Sequence, residues 1–260
     1  MLFVGSCFAN EMGRRFEEEG FPVTINPYGT MYNPASILHT LQRWLPQQSH
    51  EGRERLVVFL TLGTNHVYRL KETGEIVDNC EKRPAALFQE EELSIEACAD
   101  YLQQAVTLLR SHYPAVQVVL TVSPIRYRKY GYHESQLSKA TLLLAIQRVV
   151  SVASSTSETS ITSYFPAYEI VLDELRDYRF YAPDMLHPSQ QAVDFLWERL
   201  VAWCFSADSR EYLREWQPLK QALGHRPFDP ESKEYRALMD KTMLKVAELR
   251  KKYRTFGSRK

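Results

Sequence analysis

The sequence lacks the features that define several large classes of protein. No stretch of it approaches the roughly 18 uncharged apolar residues of a membrane-spanning helix, and the N-terminus lacks the basic region and apolar core of a signal peptide. Lysine and arginine number 32, as do aspartate and glutamate, so no net charge attracts nucleic acid or an anionic membrane. We therefore expect no nucleic-acid partner, no membrane span and, by default, a cytoplasmic location.

Cofactor and metal motifs are also missing. The chain has no G-x-G-x-x-G fingerprint, no phosphate loop and no His, Cys or carboxylate cluster at metal spacing, so we expect no nucleotide cofactor and no catalytic metal. The four cysteines are scattered without a C-x-x-C pair, which argues against a zinc knuckle or a disulfide framework and suits a reducing compartment. They are Cys7, Cys80, Cys98 and Cys204.

What the chain does contain is a regular alternation of apolar strands and amphipathic helices. Near-continuous apolar runs such as "RLVVFLTLG" and "AVQVVLTVSP" are typical of central strands that are covered on both faces. Strands that alternate with helices predict an α/β protein, with a mostly parallel sheet sandwiched between two helical layers. We expect this domain to span residues 1–207, and residues 208–260 to form a C-terminal helical extension that packs on it.

Four loops with polar residues or glycine follow predicted strands or lie close behind them. They contain Ser6, Gly29, Gly63 to Asn65, and Asp184 to His187. The carboxyl ends of parallel strands meet at one edge of a sheet, where ligands bind in such folds. We therefore expect these loops to form the ligand-binding site. Each residue also has a simpler interpretation: Ser6 as a helix cap, Gly29 as a turn residue, and His187 as a residue that leads into a helix.

The order of these residues resembles the SGNH (GDSL-like) hydrolase superfamily, in which Ser, Gly, Asn and His occupy four successive blocks and the last block reads Asp-x-x-His. More closely, "GSCFA" at residues 5–9 is similar to the motif that names the bacterial GSCFA family. The segments "INPYGTMYNPASI", "TVSPIRYRKYGYHESQLSKATLLLA" and "YFPAYEIVLDELRDYRFYAPDMLHPS" also resemble that family. The resemblance covers roughly residues 2–205 and implies a flavodoxin-like fold of SGNH hydrolase type.

These residue types can carry out acyl transfer. A serine hydroxyl needs an imidazole to take its proton, so Ser6 is the predicted nucleophile and His187 the general base and acid. Asp184, three residues before His187, can orient the imidazole. The backbone N–H groups of Ser6 and Gly29 and the amide of Asn65 are the predicted oxyanion donors. We therefore expect a serine esterase that removes acyl groups, such as acetyl, from a carbohydrate or a similar small ester.

Two of these roles have competitors within the chain. GSCFA proteins usually have "GTAW" where this chain has "GTNH", so Asn33 or Asn26 is an alternative oxyanion donor to Asn65. Cys7 lies at the amino end of a helix, which lowers a thiol pKa, so it is an alternative nucleophile. Because the residue after a nucleophile usually turns away from the site, we interpret Cys7 as core packing.

A second set of residues is predicted to contact the substrate. It comprises Asn33, His66, Arg126, Tyr127 and Arg128. Arginine pairs with anionic groups and tyrosine rings stack on sugars, although a solvated loop would have the same composition. Two other functions stay open: a catalytically silent carbohydrate-binding domain, and an acyltransferase with the same triad. The first strand begins almost at Met1, so a shortened start also stays open, as does the oligomeric state.

Overall fold

A computed structural model describes residues 1–48, 56–78, 80, 82–154 and 161–253 of the chain. The strands are β1 (Leu2–Gly5), β2 (Thr24–Ile25), β3 (Val57–Leu62), β4 (His66–Leu70), β5 (Ile76–Val77), β6 (Phe88–Glu92), β7 (Gln117–Val122) and β8 (Ile161–Tyr164). The helices are α1 (Cys7–Glu18), α2 (Pro34–Trp44), α3 (Ile95–His112), α4 (Tyr132–Ser154), α5 (Ala167–Glu169), α6 (Gln190–Cys204), α7 (Ala207–Leu223) and α8 (Lys233–Lys252). Within these ranges, no helix is both long enough and apolar enough to cross a bilayer.

Five of the strands form one parallel sheet in the order β2-β1-β3-β7-β8. This order, with strands β4 to β6 set aside, is that of flavodoxin-like folds. Helices cover both sides of the sheet, so the predicted α/β class with a mostly parallel central sheet is confirmed. The two apolar runs that predicted central strands are β3 and β7, and their side chains are almost entirely buried.

The remaining three strands form a small antiparallel sheet in the order β5-β4-β6. A turn that includes Thr73 and Gly74 connects β4 to β5. Sequence analysis missed β6, because three of its five residues are glutamates, which have low β propensity and are mostly exposed here. Its pairing with β4, rather than its own composition, makes this segment a strand.

A buried lysine joins the carboxyl ends of β3 and β7. Lys139 of α4 is 2% exposed, and its ammonium donates to the carbonyl oxygens of Gly63 and Ser123 at 2.7 and 2.8 Å. Gly63 directly follows β3, and Ser123 directly follows β7. Removal from water lowers the pKa of Lys139 from 10.5 to about 7, because burial disfavours the charged form.

Lys139 should make the free energy of unfolding rise with pH between about 7 and 10.5. In this range the unfolded chain keeps a proton that the folded protein releases, so raising the pH favours the folded state. The contribution to the slope reaches about 1.4 kcal/mol per pH unit. Urea unfolding of the wild type and Lys139→Met across this range measures it, and equal slopes for the two proteins would contradict it.

The described residues group into two compact units. The first contains Met1–Gly13 and Thr24–Leu196, and its core contains the parallel sheet. The second contains Arg14–Val23 and the described residues from Trp197 onward. The sequence alone predicts that residues 14–23 belong to the first domain. The predicted boundary after residue 207 and the packing of the extension remain predictions, and residues 254–260 lie outside the described part.

Aromatic rings form the centre of the second unit. The ring of Phe16 packs edge-on against Trp197, with a centroid distance of 4.8 Å, and lies 5.7 Å from Phe205. Phe21 contacts both Phe205 and Tyr212 at 5.8 and 5.3 Å. Offset and edge-on arrangements of this kind suit the charge distribution of aromatic rings. The C-terminal segment, which was predicted to be helical, contains α7 and α8.

The second unit also contains a fully buried carboxylate. Glu19 is 0% exposed and accepts hydrogen bonds from Lys220 at 2.9 Å and Gln217 at 3.0 Å, while an Arg15 nitrogen lies 3.3 Å away. A buried charge needs such partners because its desolvation is costly. This cluster binds α7 to the segment that follows α1.

Candidate active site

A glycine that no other residue can replace ends β1. Gly5 has a φ of +141°, and a Cβ at this position would lie 2.0 Å from the carbonyl oxygen of Thr61. The close approach lets the Ser6 N–H donate to the same Thr61 oxygen at 3.0 Å. The Gly5 N–H donates to Asn26 Oδ1 at 2.8 Å. Hydrogen bonds therefore fix the end of β1 to β3 on one side and to the loop after β2 on the other.

Ser6 occupies the turn between β1 and α1, as predicted. Its Oγ accepts from the Phe8 N–H at 3.3 Å and lies 3.2 Å from Thr61 Oγ1. Ser6 therefore caps α1, which was its simpler interpretation. The residue is 2% exposed, so its hydroxyl lies at the floor of the turn rather than on the surface.

The loop after β2 is fastened to the end of β1. Asn26 adopts a φ of +39°, and its main-chain carbonyl accepts from Gly29 N–H at 2.9 Å. Gly29 itself has a φ of +93°, in the region that favours glycine. Two residues later, Met31 N–H donates to the Gly5 carbonyl at 2.9 Å. The first two predicted blocks are therefore adjacent.

Tyr32 joins the third block to the first two. Its carbonyl oxygen accepts from the N–H groups of Gly63 and Thr64, which follow β3, at 2.8 and 2.9 Å. Its hydroxyl lies 3.7 Å from Cys7 Sγ. Burial, together with the Cys7 contact, raises the pKa of Tyr32 to about 12. Three of the four predicted blocks thus form one hydrogen-bonded group at the carboxyl edge of the sheet.

The fourth block is a compact turn in which Asp184 holds His187. Asp184 Oδ1 accepts from the main-chain N–H groups of Leu186 and His187 at 2.9 and 3.0 Å. Its Oδ2 lies 2.5 Å from His187 Nδ1. The side chains are 45% and 43% exposed. The two main-chain bonds, with the ring bond after them, lower the pKa of Asp184 to about 2.

This turn is attached to the segment after β7. The Arg126 N–H donates to the Leu186 carbonyl at 3.0 Å, and Arg126 Nη1 donates to the Met185 carbonyl at 2.9 Å. In the strand order, β1 and β7 are both neighbours of β3. Within the described residues, no hydrogen bond joins Ser6 to His187. Their direct interaction remains a prediction.

The three predicted oxyanion donors already have acceptors in this structure. The N–H groups of Ser6 and Gly29 donate to Thr61 and Asn26, and Asn65 Nδ2 donates to the Leu93 carbonyl at 2.8 Å. Asn65 is also only 3% exposed. An oxyanion hole needs donors aimed at the developing charge, so these bonds would have to be exchanged if the three groups served in that role.

Two other donors from the same blocks are not engaged in this way. Cys7 is the first residue of α1, so its N–H has no acceptor within the helix. Asn33 caps α2 through an Oδ1 that accepts from Ser36 N–H at 2.9 Å. This bond involves only Oδ1, and among the described residues Asn33 Nδ2 makes no hydrogen bond. The position of Cys7, directly after a serine that opens a helix, was the signal that could have identified its N–H.

The residues predicted to contact the substrate differ in burial and in their partners. His66 is buried in β4, where its ring stacks on Tyr130 at 4.0 Å and burial lowers its pKa. Tyr127 is half-buried and lies 5.3 Å from Tyr130, whereas Arg128 is exposed. Arg126 is bonded to the turn that contains Asp184 and His187. Among the described residues, no three His, Cys, Asp or Glu side chains cluster as metal ligands would.

The family model of the GSCFA family matches residues 1–57 and 47–200, and that of the GSCFA C-terminal domain matches residues 216–258. The chain belongs to the GSCFA family. The "GSCFA" motif therefore contains the end of β1, the capping serine and the start of α1. No curated protein matches this GSCFA chain.

Several solved structures are similar to this GSCFA protein at low identity. One from Streptococcus pneumonia, named for platelet activating factor, is 16% identical, with a TM-score of 0.47 and coverage of 82% of both chains. A carbohydrate esterase family 3 protein from Talaromyces cellulolyticus is 10% identical, with a TM-score of 0.40 and coverage of 76% of this chain and 80% of that one. A mutant acetyl esterase with acetate ion is 11% identical, with a TM-score of 0.42 and coverage of 84% of this chain and 93% of that one. All three TM-scores are too low to bear on activity.

Asp184 is expected to titrate near pH 2. Because its pKa is lowered below the usual 3.8, its contribution to stability is complete above that value and is lost as the pH falls towards 2. Carbon NMR of the carboxyl group measures this titration. In His187→Ala the main-chain bonds from residues 186 and 187 persist, so the pKa of Asp184 should rise but stay below 3.8. An ordinary pKa in both proteins would show that the turn does not form.

Proposed function

We propose that this GSCFA protein is a serine ester hydrolase in which Ser6, His187 and Asp184 act as nucleophile, general base and orienting carboxylate. The observation that carries the proposal is the His187–Asp184 pair, with its 2.5 Å contact between Nδ1 and Oδ2. A carboxylate that is itself held by two main-chain N–H groups fixes the ring and favours the tautomer with the proton on Nδ1. The half-exposed ring then offers Nε2 as a base.

The proposed reaction follows from this arrangement. His187 Nε2 takes the Ser6 hydroxyl proton as Oγ attacks the ester carbonyl, and the negative Asp184 stabilises the resulting imidazolium. The imidazolium returns the proton to the leaving alcohol, which gives an acyl-serine. Water, deprotonated by the same ring, then releases the acid and restores Ser6. For this chemistry the Ser6 hydroxyl must exchange its contact with Thr61 Oγ1 for one with His187.

We assign the oxyanion donors to the Cys7 N–H and Asn33 Nδ2. Residues 31–33 lie against the end of β1, since Met31 N–H donates to the Gly5 carbonyl and the Tyr32 hydroxyl approaches Cys7 Sγ. The cap on α2 holds the Asn33 amide in one orientation, and a donor that is fixed in advance stabilises developing charge at little reorganisation cost. Asn65 is the second choice, because its amide already donates to Leu93.

The proposed substrate is an acyl ester of a carbohydrate or a similar small alcohol. Tyr132 and Tyr178 are exposed aromatic residues that flank Arg126, close to the turn of His187. Aromatic faces of this kind suit sugar rings. A small acetyl ester gives a simple probe of this reaction.

Ser6→Ala is expected to lower turnover of 4-nitrophenyl acetate by at least about 1000-fold, because the acyl-enzyme cannot form. It should also lower the free energy of unfolding by about 1 kcal/mol, because the cap of α1 is lost. Ester hydrolysis and urea unfolding measure the two effects.

Ser94→Ala is a matched control for the loss of the cap. Ser94 caps α3 by accepting from Ala97 N–H at 3.2 Å, so the variant removes an equivalent bond elsewhere. Its stability should fall by a similar amount while its turnover stays at the wild-type level. Undiminished turnover in Ser6→Ala would rule out Ser6 as nucleophile.

A carbohydrate-binding domain without turnover is the second candidate. The specific observation in its favour is that the three donors first predicted for the oxyanion hole are all engaged in other bonds. A wild-type protein that binds acetylated oligosaccharides but hydrolyses neither them nor the small ester would support this second function.

Asn33→Asp separates the cap from the oxyanion donor. Aspartate caps a helix as well as asparagine does, so stability should change little, but the amide hydrogens are lost. We expect kcat for 4-nitrophenyl acetate to fall about 100- to 1000-fold. Asn65→Ala provides the comparison: if it lowers kcat more than Asn33→Asp does, Asn65 is the donor and the assignment to Asn33 is wrong.

A further inference from the structure

Arg126 makes two contacts with the same turn. Its main-chain N–H donates to the Leu186 carbonyl at 3.0 Å, and its side-chain Nη1 donates to the Met185 carbonyl at 2.9 Å. The two acceptors are the residues that lie between Asp184 and His187. The main chain and the side chain of one residue therefore bind the segment on which the acid–imidazole pair is built.

That turn includes a conformation that needs support. Met185 has a φ of +60°, which is uncommon for a residue with a long side chain. The strain is tolerated where surrounding contacts fix the backbone. Asp184 supports the turn from within by accepting the N–H groups of residues 186 and 187, and Arg126 supports it from outside by binding the carbonyls of residues 185 and 186.

The guanidinium is itself held in place by aromatic rings. Its central carbon lies 4.1 Å from the ring centroid of Tyr132, 5.4 Å from Tyr181 and 5.7 Å from Tyr178. Cation–π contacts of this kind restrict the guanidinium plane. A lysine ammonium has neither the plane nor the fork of donors.

We propose that Arg126 is a positioning residue that fixes the His187–Asp184 pair, rather than a residue that binds the substrate. The expected effect of Arg126 on kcat rests on the proposed esterase function. Its expected effect on the orientation of the His187 ring does not. Sequence analysis placed Arg126 among the substrate contacts because an arginine in a tyrosine-rich loop fits an anionic ligand. The bond from Nη1 to the Met185 carbonyl gives the side chain a different role.

The first test measures the tautomer of the His187 ring in the absence of substrate. Nitrogen NMR at a pH where the ring is neutral reports which ring nitrogen carries the proton, with His187→Ala used to assign the signal. The wild type should show a single tautomer with the proton on Nδ1, since Asp184 accepts there. Arg126→Met should show a mixture of tautomers. A ring spectrum identical to that of the wild type would overturn the proposal.

The second test separates positioning from binding. A misplacement of about 1 Å in a catalytic group can cost about 100-fold in rate, so we expect Arg126→Met to lower kcat for 4-nitrophenyl acetate by about 10- to 100-fold with KM changed less than about threefold. A rise in KM at constant kcat would instead indicate lost ground-state binding and would overturn the positioning role. Arg126→Lys should lie closer to Arg126→Met than to the wild type in both tests.

Arg148→Met is the matched control. Arg148 is an exposed arginine of α4 that pairs with Glu96 at 2.7 Å, so the same change removes a surface ion pair of small value. Its ring spectrum and kinetics should equal those of the wild type. Millimolar guanidinium added to Arg126→Ala should restore part of the lost kcat and of the single tautomer, which a merely unstable variant would not show. A wild type without ester turnover would contradict the proposed function, and the ring spectra would then decide the role of Arg126 alone.

Discussion

The close approach of β1 to β3 at Gly5 and Thr61 is the constraint on which the predicted site depends. Because Gly5 has no side chain, the Ser6 N–H and hydroxyl both reach Thr61. The helix α1 then begins at the carboxyl end of β1. A larger residue would push β1 away from β3. The loop after β2 attaches to this point through the Met31 N–H and the Asn26 side chain, and the loop after β3 attaches to that loop through main-chain bonds to Tyr32.

Much of the fold could be predicted because its signals are local. The apolar runs of β3 and β7 and the helical character of the C-terminal segment are each evident within short segments. The turn of Asp184 and His187 is equally local, since three residues suffice to form its bonds. β6 was missed because its pairing partner, β4, lies about twenty residues away and its own glutamates do not favour a strand.

The roles of individual polar groups were harder to predict, because each depends on an acceptor from a distant segment. Nothing around Asn65 indicates that its amide faces the Leu93 carbonyl, and nothing near Arg126 indicates that it binds residues about sixty positions later. Periodicity shows which face of a helix is buried, but it does not show which buried polar atoms meet. The grouping of residues 14–23 with α7 is of the same kind, because the aromatic contacts of Phe21 and the bonds of Glu19 join segments about 200 residues apart.

The predicted site therefore consists of two halves that are built differently, and α4 connects them. The half with Ser6 is held mainly by main-chain bonds among the segments after β1, β2 and β3, whereas the half with His187 is bound by both the main chain and the side chain of Arg126. Three side chains on one face of α4 reach both: Ser138 accepts from the Asn65 N–H, Ser135 accepts from the Tyr127 N–H, and Lys139 binds Gly63 and Ser123. Since α4 is a single rigid helix, a shift of either strand end would break bonds to the other. This connection explains why Ser135, Ser138 and Lys139 are polar although they are buried.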